Sequence, residues 1–271
     1  MTGRLQNKVA IIIGAGQSAG EELGNGRATT IRFAQEGAAI LAADLNRDSA
    51  QQSLDMAECA GLDAFSVAAD TADSDAMKAV IDAAMDRWGR IDIVHYNVGI
   101  SIVGGPQTID DLTDEAFERV HNVNLRGAMM ACKFVAPFMR NQGGGAITLV
   151  SSMTAIETYT PTAAYRTSKA GMIAYMQLFA AHNAEHGIRC NAILPGLMQT
   201  AMAVDTRMGV SGRSREDIIA ERNSRVPLRR QGGTGWDIAN AALFLASDEA
   251  NFITGAALPV DGGTLTRIGW C

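Results

Sequence analysis

The alternation of strand-length and helix-length segments constrains this chain more than any other feature. Seven short runs, 9–13, 38–43, 65–69, 91–96, 146–150, 188–194 and 256–260, are almost continuously apolar. Strands covered on both faces read this way, whereas half-exposed strands alternate. Helix-length stretches separate them at 27–36, 48–60, 74–88, 114–142, 163–186 and 235–246. Strand then helix, repeated, predicts a parallel sheet with crossover helices on both faces. No linker, charge block or internal repeat interrupts it, so residues 1–271 are expected to form one doubly wound α/β domain. Residues 198–231 break the rhythm. Non-sheet sequence of that length in a compact domain reads as a substrate lid or insertion, with a helix over 214–224 capped by Ser214.

Composition narrows the functional classes. Apolar residues make up 47% of the chain and charged residues 19%. That balance excludes a disordered segment, and the net charge of −6 argues against nucleic acid as a partner. Cys59, Cys132, Cys190 and Cys271 are far apart and read as reduced thiols. The N-terminal apolar run of five residues is too short for a signal sequence or a membrane span. A soluble, cytoplasmic protein without a membrane partner is expected.

The first strand runs into a glycine-rich loop, 14–26. Glycines there let backbone approach a pyrophosphate, and the next helix turns its free N–H groups toward it. An ordinary glycine turn would look similar. Asp44, eighteen residues after Gly26 at the end of the second strand, adds to the dinucleotide reading: an acid at this spacing reaches the adenosine ribose hydroxyls. A carboxylate followed by Leu45 rather than arginine would repel a 2′-phosphate, so NAD is favoured over NADP.

Tyr165 and Lys169 are four apart on a predicted helix and share a face. A neighbouring ammonium is expected to lower the phenol pKa and make Tyr165 a usable general acid or base. With 4 Tyr and 4 Lys in 271 residues, chance supplies such a pair about 0.06 times. Ser152, at the end of the fifth strand, could hydrogen-bond a substrate carbonyl or alkoxide.

Together these residues resemble the short-chain dehydrogenase/reductase family over nearly the whole chain. Asp70 follows the third strand, Asn97-Val98-Gly99 is similar to the family's Asn-Ala-Gly, and Asn124 lies in Asn-Val-Asn-Leu. Ser152 stands thirteen residues before Tyr165. Pro195-Gly196 with Thr200 matches Pro-Gly-x-x-x-Thr, and Ile253-Thr254-Gly255 and Val260-Asp261-Gly262-Gly263 match the family's last strand. The resemblance implies a Rossmann-type fold with a seven-stranded sheet and a catalytic tetrad of Asn124, Ser152, Tyr165 and Lys169. Tyr165 would transfer the proton, Ser152 orient the reacting oxygen, Lys169 also bind the nicotinamide ribose, and Asn124 help hold a relay water. NAD contacts are expected at Gly14, Gln17, Asn25, Gly26, Asp44, Leu45, Asp70, Thr71, Asn97, Val98, Gly99, Tyr165, Lys169, Pro195, Gly196, Leu197 and Thr200. A homotetramer or homodimer is expected, built partly on helices within 114–142 and 163–181.

Three departures accompany the resemblance. Gly14 to Gly24 spans ten positions against about four in the family, so about six extra residues, near 18–23, are expected to bulge outward. They carry Glu21 and Glu22, which should avoid phosphates. Ile13 stands in place of the threonine that usually precedes the first glycine, and Val98 in place of a small alanine. The His182-x-x-Glu185-His186 pattern echoes a zinc motif but falls at the end of its helix far from Tyr165, and no metal is expected. Arg207, Arg213, Arg215, Arg222, Arg225, Arg229 and Arg230 make the lid basic. They read as a solvated or interface face rather than a clamp for an anionic substrate.

The substrate pocket is expected from Ser152, Met153, Thr154, Tyr159 and Met202, with Met198 and Met208 nearby, which suits a hydrophobic or cyclic small molecule. The leading expectation is an NAD-dependent alcohol dehydrogenase or ketoreductase acting on a secondary alcohol or ketone. The alternatives are a dihydrodiol dehydrogenase or epimerase on the same site, or a nucleotide-sensing protein without turnover.

Overall fold

The computed structural model describes residues 3–20, 22–59, 61–106 and 108–266, with backbone alone at 206, 210 and 211. Glu21, Ala60 at the end of the predicted 48–60 helix, and Cys271 lie outside the described residues. Seven strands, β1 (Val9–Ile13), β2 (Ala39–Asp44), β3 (Ala64–Ala68), β4 (Ile93–Tyr96), β5 (Gly145–Val150), β6 (Ile188–Pro195) and β7 (Ala257–Val260), form one sheet. Its order is β3-β2-β1-β4-β5-β6-β7, and every pairing is parallel. The fold is Rossmann-like, as the strand–helix alternation predicts.

The helices are α1 (Asn25–Gln35), α2 (Arg47–Asp55), α3 (Ser74–Trp88), α4 (Asp114–His121), α5 (Gly127–Gln142), α6 (Ala163–Asn183), α7 (Ala201–Ser211), α8 (Arg215–Ser224) and α9 (Gly235–Ala246). Strand side chains alternate between two cores. Ile11 and Ile13 join Met77 and Ile81 of α3, Cys132 and Val135 of α5, and Met172 and Met176 of α6. Ala10 and Ile12 join Ile31 and Phe33 of α1, Leu54 of α2, and Ile238 and Leu243 of α9. Burial on both faces is why the strands read as unbroken apolar runs.

Two segments differ from expectation. The predicted 114–142 helix is interrupted by a π-helical stretch, Asn122–Arg126, between α4 and α5. Such a bulge adds a residue to the turn and reorients the helix beyond it; here it holds Asn124 fully buried. Between β6 and α9 there are two helices rather than one. Ser214 does cap α8, its side chain accepting the Asp217 N–H at 3.1 Å. The preceding helix, α7, begins after Thr200, and its mixed sequence gives little periodic signal.

Candidate active site

Chain order reverses between β1 and β4, and a doubly wound sheet opens a crevice at that point beyond its strand ends. Gly14, Asp44, Asp70, Asn97, Ser152 and Gly196 all follow or close carboxyl strand ends. The sheet therefore gathers residues spread over most of the chain onto one edge.

The glycine loop is built for close approach. Gly14 has φ +83°, and a Cβ there would lie 2.9 Å from Val98 Cγ2, so only glycine is unstrained. A Cβ on Gly26 would come within 1.8 Å of the Gly14 carbonyl oxygen; the start of α1 sits directly on the turn. Asn97 Nδ2 donates to that same carbonyl at 3.2 Å. Asn97 thus braces the loop, a role its motif did not reveal. Gly16 N–H donates to Asp44 Oδ2 at 2.9 Å and Asn46 N–H to Asp44 Oδ1 at 3.0 Å, fixing the carboxylate at the crevice. Leu45 is exposed, and Arg47 turns away to donate to the Ser66 carbonyl at 3.2 Å. Asn25 Oδ1, in the first turn of α1, is buried without a hydrogen-bond partner. Backbone crowding that excludes Cβ atoms, an unspent polar atom at a helix start and a fixed carboxylate fit a dinucleotide. Gly14, Gly16, Asn25, Gly26 and Asp44 are the residues that could hold it.

Beyond Gln17 the chain leaves this cradle and returns to it at Gly24. Gly24 N–H donates to Gln17 Oε1 at 2.9 Å, closing the neck of the insertion. Beyond the neck the segment packs on the 198–231 region. A Cβ on Gly20 would meet Asp205 and Ala201 of α7. Glu22 pairs with Arg215 at 3.3 Å, and Arg215 also pairs with Asp205. The bulge is directed outward and is tied to α7 and α8.

Ser152, Tyr165, Lys169 and Asn124 come together at the ends of β4 and β5. Ser152 Oγ accepts the Thr154 N–H at 3.1 Å, and its side chain hydrogen-bonds the Tyr165 phenol. Lys169 Nζ lies 5.9 Å from the Tyr165 ring centre and donates to the carbonyls of Val150 (2.8 Å) and Val98 (3.3 Å). Asn124 is clamped: its Nδ2 donates to Ile100 O (2.9 Å) and Ser168 Oγ (3.0 Å), and its Oδ1 accepts the Ile100 N–H (2.7 Å). A Cβ on Gly99 would fall 3.0 Å from Lys169 Nζ, so Gly99 leaves the lysine its path to the strand ends. Ser151 and Ser168, which sequence reasoning missed, hold this scaffold. Ser151 Oγ donates to the Lys169 carbonyl and Ser168 Oγ to the Tyr165 carbonyl.

The electrostatics correct one expectation. Burial raises the Tyr165 phenol above its ordinary pKa, and it outweighs the lowering by the Ser152 hydrogen bond and the Arg207 charge. Burial also pulls Lys169 down to about 7. Lys169 Nζ is hydrogen-bonded to two carbonyls, and the lowering on the phenol comes from Ser152 and Arg207.

The remaining expected residues occupy varied surroundings. Thr71 is buried against Tyr96, and Asp70 accepts the Ala72 N–H. Pro195 ends β6, a Cβ on Gly196 would strike Asp261, and buried Thr200 precedes α7. Leu197 packs with Met153 and Val226. Thr154 is buried, whereas Tyr159 and Met202 are exposed and Met198 belongs to the α1/α9 core. His182 and His186 lie at the far end of α6, and His95 is a buried core histidine hydrogen-bonded to Thr148.

A protein-family model described as enoyl-(acyl carrier protein) reductase matches residues 19–265. The chain is 34% identical over 260 residues to the 3-oxoacyl-[acyl-carrier-protein] reductase FabG of Thermotoga maritima, covering 96% of this chain and 98% of that one. A solved short-chain dehydrogenase/reductase of Burkholderia xenovorans superposes with TM-score 0.91 at 38% identity, covering 98% of this chain and 100% of the other. Carveol dehydrogenase of Mycobacterium avium in complex with NAD superposes with TM-score 0.87 at 31% identity, with the same coverage. The fold, the glycine cradle and these matches agree: the chain belongs to the short-chain dehydrogenase/reductase family of oxidoreductases.

Proposed function

We propose that this protein is an NAD-dependent dehydrogenase or ketoreductase that interconverts a hydrophobic or cyclic secondary alcohol and its ketone, with Tyr165 as general acid/base. The observation that carries the reading is the hydrogen bond between the Tyr165 phenol and Ser152, with Lys169 Nζ buried beside the same ring. A bound nicotinamide supplies or accepts the hydride. The protein's residues handle the proton. In the oxidative direction Ser152 and Tyr165 would hold the substrate oxygen, and Tyr165, having first released its own proton to solvent, would take the hydroxyl proton as the carbinol carbon gives up hydride. The alcohol loses two electrons and two hydrogens to become the ketone; in reduction Tyr165 returns the proton. In its protonated form Lys169 would place positive charge beside the Tyr165 phenolate. Asn124, held by Ile100 and Ser168, fixes the chain between Gly99 and the lysine.

NAD is preferred over NADP in this reading because the fixed Asp44 carboxylate would face a 2′-phosphate, while Arg47 is turned toward β3. The complex of carveol dehydrogenase with NAD supports the same cofactor, and carveol, a cyclic secondary alcohol, supports the substrate class. The test monitors NADH appearance with NAD and a panel of cyclic secondary alcohols, with NADP in a parallel series. Turnover with NAD that Tyr165→Phe abolishes while NADH still binds is the expected result. Turnover unchanged in Tyr165→Phe contradicts the assignment of the proton to Tyr165. NAD binding without any oxidation would favour a sensor.

A further inference from the structure

Helix α8 is held at both ends by segments from different parts of the crevice. Its first residue, Arg215, is clasped between two carboxylates: Nη1 donates to Asp205 of α7, and Nη2 to Glu22 of the insertion at 3.3 Å. The Arg215 side chain is only 18% exposed, so the clasp is screened less than a surface pair. Gly20 of the same insertion packs so closely on Ala201 and Asp205 that a Cβ would overlap both. At its other end α8 meets the segment between Ser152 and Tyr165. The guanidinium carbon of Arg225, the residue that closes α8, sits 3.9 Å from the centre of the Tyr159 ring. Val226 packs with Met153 and Leu197, which directly follow Ser152 and Gly196. Arg222 Nη2 donates to the Met198 carbonyl at 2.9 Å, and Asn223 Oδ1 accepts from Gln199 Nε2 at 3.0 Å. Arg215, Arg222 and Arg225, expected on a solvated or interface face, thus each join α8 to another segment.

Both attachments are anchored. The insertion starts inside the cradle: Gln17 N–H donates to Ser49 Oγ at 3.0 Å, one residue after Gly16 binds Asp44, and Gln17 Oε1 accepts the Gly24 N–H. Residues 153–162 are tied to α6. Arg166, the neighbour of Tyr165, donates from Nη2 to the Ile156 carbonyl at 3.2 Å, and Glu157 accepts the Tyr159 N–H and, at 2.8 Å, the Thr160 hydroxyl. Between the two attachments runs a helix of 10 residues, about 15 Å of regular backbone. A helix of this length moves as a rod, so a restraint applied at Arg215 is felt at Arg225 and Val226.

We propose that the insertion and α8 form a linkage through which a dinucleotide in the crevice orders residues 153–162, the segment between Ser152 and Tyr165, with Glu22, Arg215 and Asp205 as its positioning residues. The proposal rests on the dinucleotide reading of the crevice. Filling the cradle holds the neck of the insertion. The clasp passes that restraint to α8, and Arg225 and Val226 pass it to Tyr159 and Met153. Freedom already lost at one end of the linkage need not be lost again when a ligand binds at the other. The substrate side is therefore completed after the cofactor side, and cofactor binds first. By reciprocity, a ligand that orders residues 153–162 tightens the hold on the dinucleotide by the same factor.

The linkage can be read without turnover. Hydrogen exchange at short labelling times, analysed by mass spectrometry, is compared for the whole chain with and without saturating NADH. The cradle, residues 14–17 and 24–28, should exchange more slowly with NADH. Residues 153–162 should slow as well, by about threefold to fivefold, the range a partly exposed ion pair can transmit. In Arg215→Met and in Glu22→Gln the cradle should still be slowed at saturation, while the slowing at 153–162 should fall close to none; Arg215→Lys should keep part of it. A role of Arg215 confined to local packing would leave residues 153–162, at the other end of α8, unchanged. Thermal melts check folding, and Glu22→Gln, at a half-exposed side chain, carries the comparison if Arg215→Met is unstable. Slowing at the cradle without slowing at 153–162 overturns the proposal. So does slowing at 153–162 that is equal in the unaltered protein and in both variants. No slowing at the cradle would instead overturn the dinucleotide reading, and the proposal would fall with it.

Discussion

Lys169 carries a stability cost. Its ammonium is buried at the sheet edge with two carbonyls for partners and no carboxylate among its hydrogen bonds. The folded chain holds its pKa near 7, against 10.5 for the free side chain. Between pH 7 and 10.5 the unfolded chain binds a proton that the folded chain releases, so this residue makes stability rise with pH, and its full cost is present below pH 7. Lys169→Met, similar in length and without the charge, should raise the melting temperature of the cofactor-free protein by a few degrees at pH 7, at about 2–4 °C per kcal/mol. The gain should shrink toward pH 10.5, and turnover should be lost. An equal or lower melting temperature at pH 7 would contradict this view of the lysine. Asp44 makes a second residue-scale claim. Removing its carboxylate in Asp44→Ala should improve the NADPH-to-NADH affinity ratio by about tenfold or more, since a like charge beside the phosphate is gone. Fluorescence titration with both cofactors measures it, and an unchanged ratio would remove Asp44 from cofactor selection.

Among the elements, the insertion between Gly16 and Gly24 is the least ordinary. Its neck is closed by Gln17, and its far side is joined to α7 and α8 through Glu22, Arg215 and Asp205. The loop that would cradle the dinucleotide is thereby joined to α7 and α8 by ion pairs. Arg215→Ala should speed NADH release by about fivefold, the worth of a partly exposed ion pair near 1 kcal/mol; stopped-flow fluorescence reads the rate directly. An unchanged rate would mean the two segments touch without being coupled. This link was not legible in the sequence, because both segments are polar and lie far apart along the chain, and nothing in their pattern says that they meet. The strands were legible to within one or two residues at most ends, because burial on both faces leaves an unmistakable apolar run. The π-helical turn at Asn122–Arg126 was not, since hydrophobic spacing continues smoothly through it. The proposed catalytic residues could be named because their spacing along α6 and after β5 is itself the signal, and the fold brings Ser152 and Tyr165 into hydrogen-bond contact. The bracing by Asn97, Ser151 and Ser168 depends on tertiary neighbours and left no local trace.

At the scale of the whole molecule, parallel topology does the assembling. Seven strands in one direction bring seven carboxyl ends to one edge, and the reversal between β1 and β4 opens the crevice there. No helix among the described residues is long and apolar enough to cross a membrane. Leu178 of α6 and Phe252 before β7 are large apolar side chains exposed on the surface of the chain. We propose that copies of the chain pair in part through α5 and α6 into a homodimer or homotetramer. Light scattering on the purified protein should then give two or four times 28.6 kDa, and the mass of a single chain would contradict it. The central claim is that the gathered edge passes hydride to or from a bound nicotinamide while Tyr165 moves the proton. Its most direct test is a single turnover with NAD and a cyclic secondary alcohol deuterated at the carbinol carbon, with the nicotinamide analysed by mass spectrometry. The account predicts one deuterium on the reduced cofactor and none when Tyr165→Phe is used over the same interval. A reduced cofactor without deuterium, or equal labelling by the Tyr165→Phe protein, would contradict it.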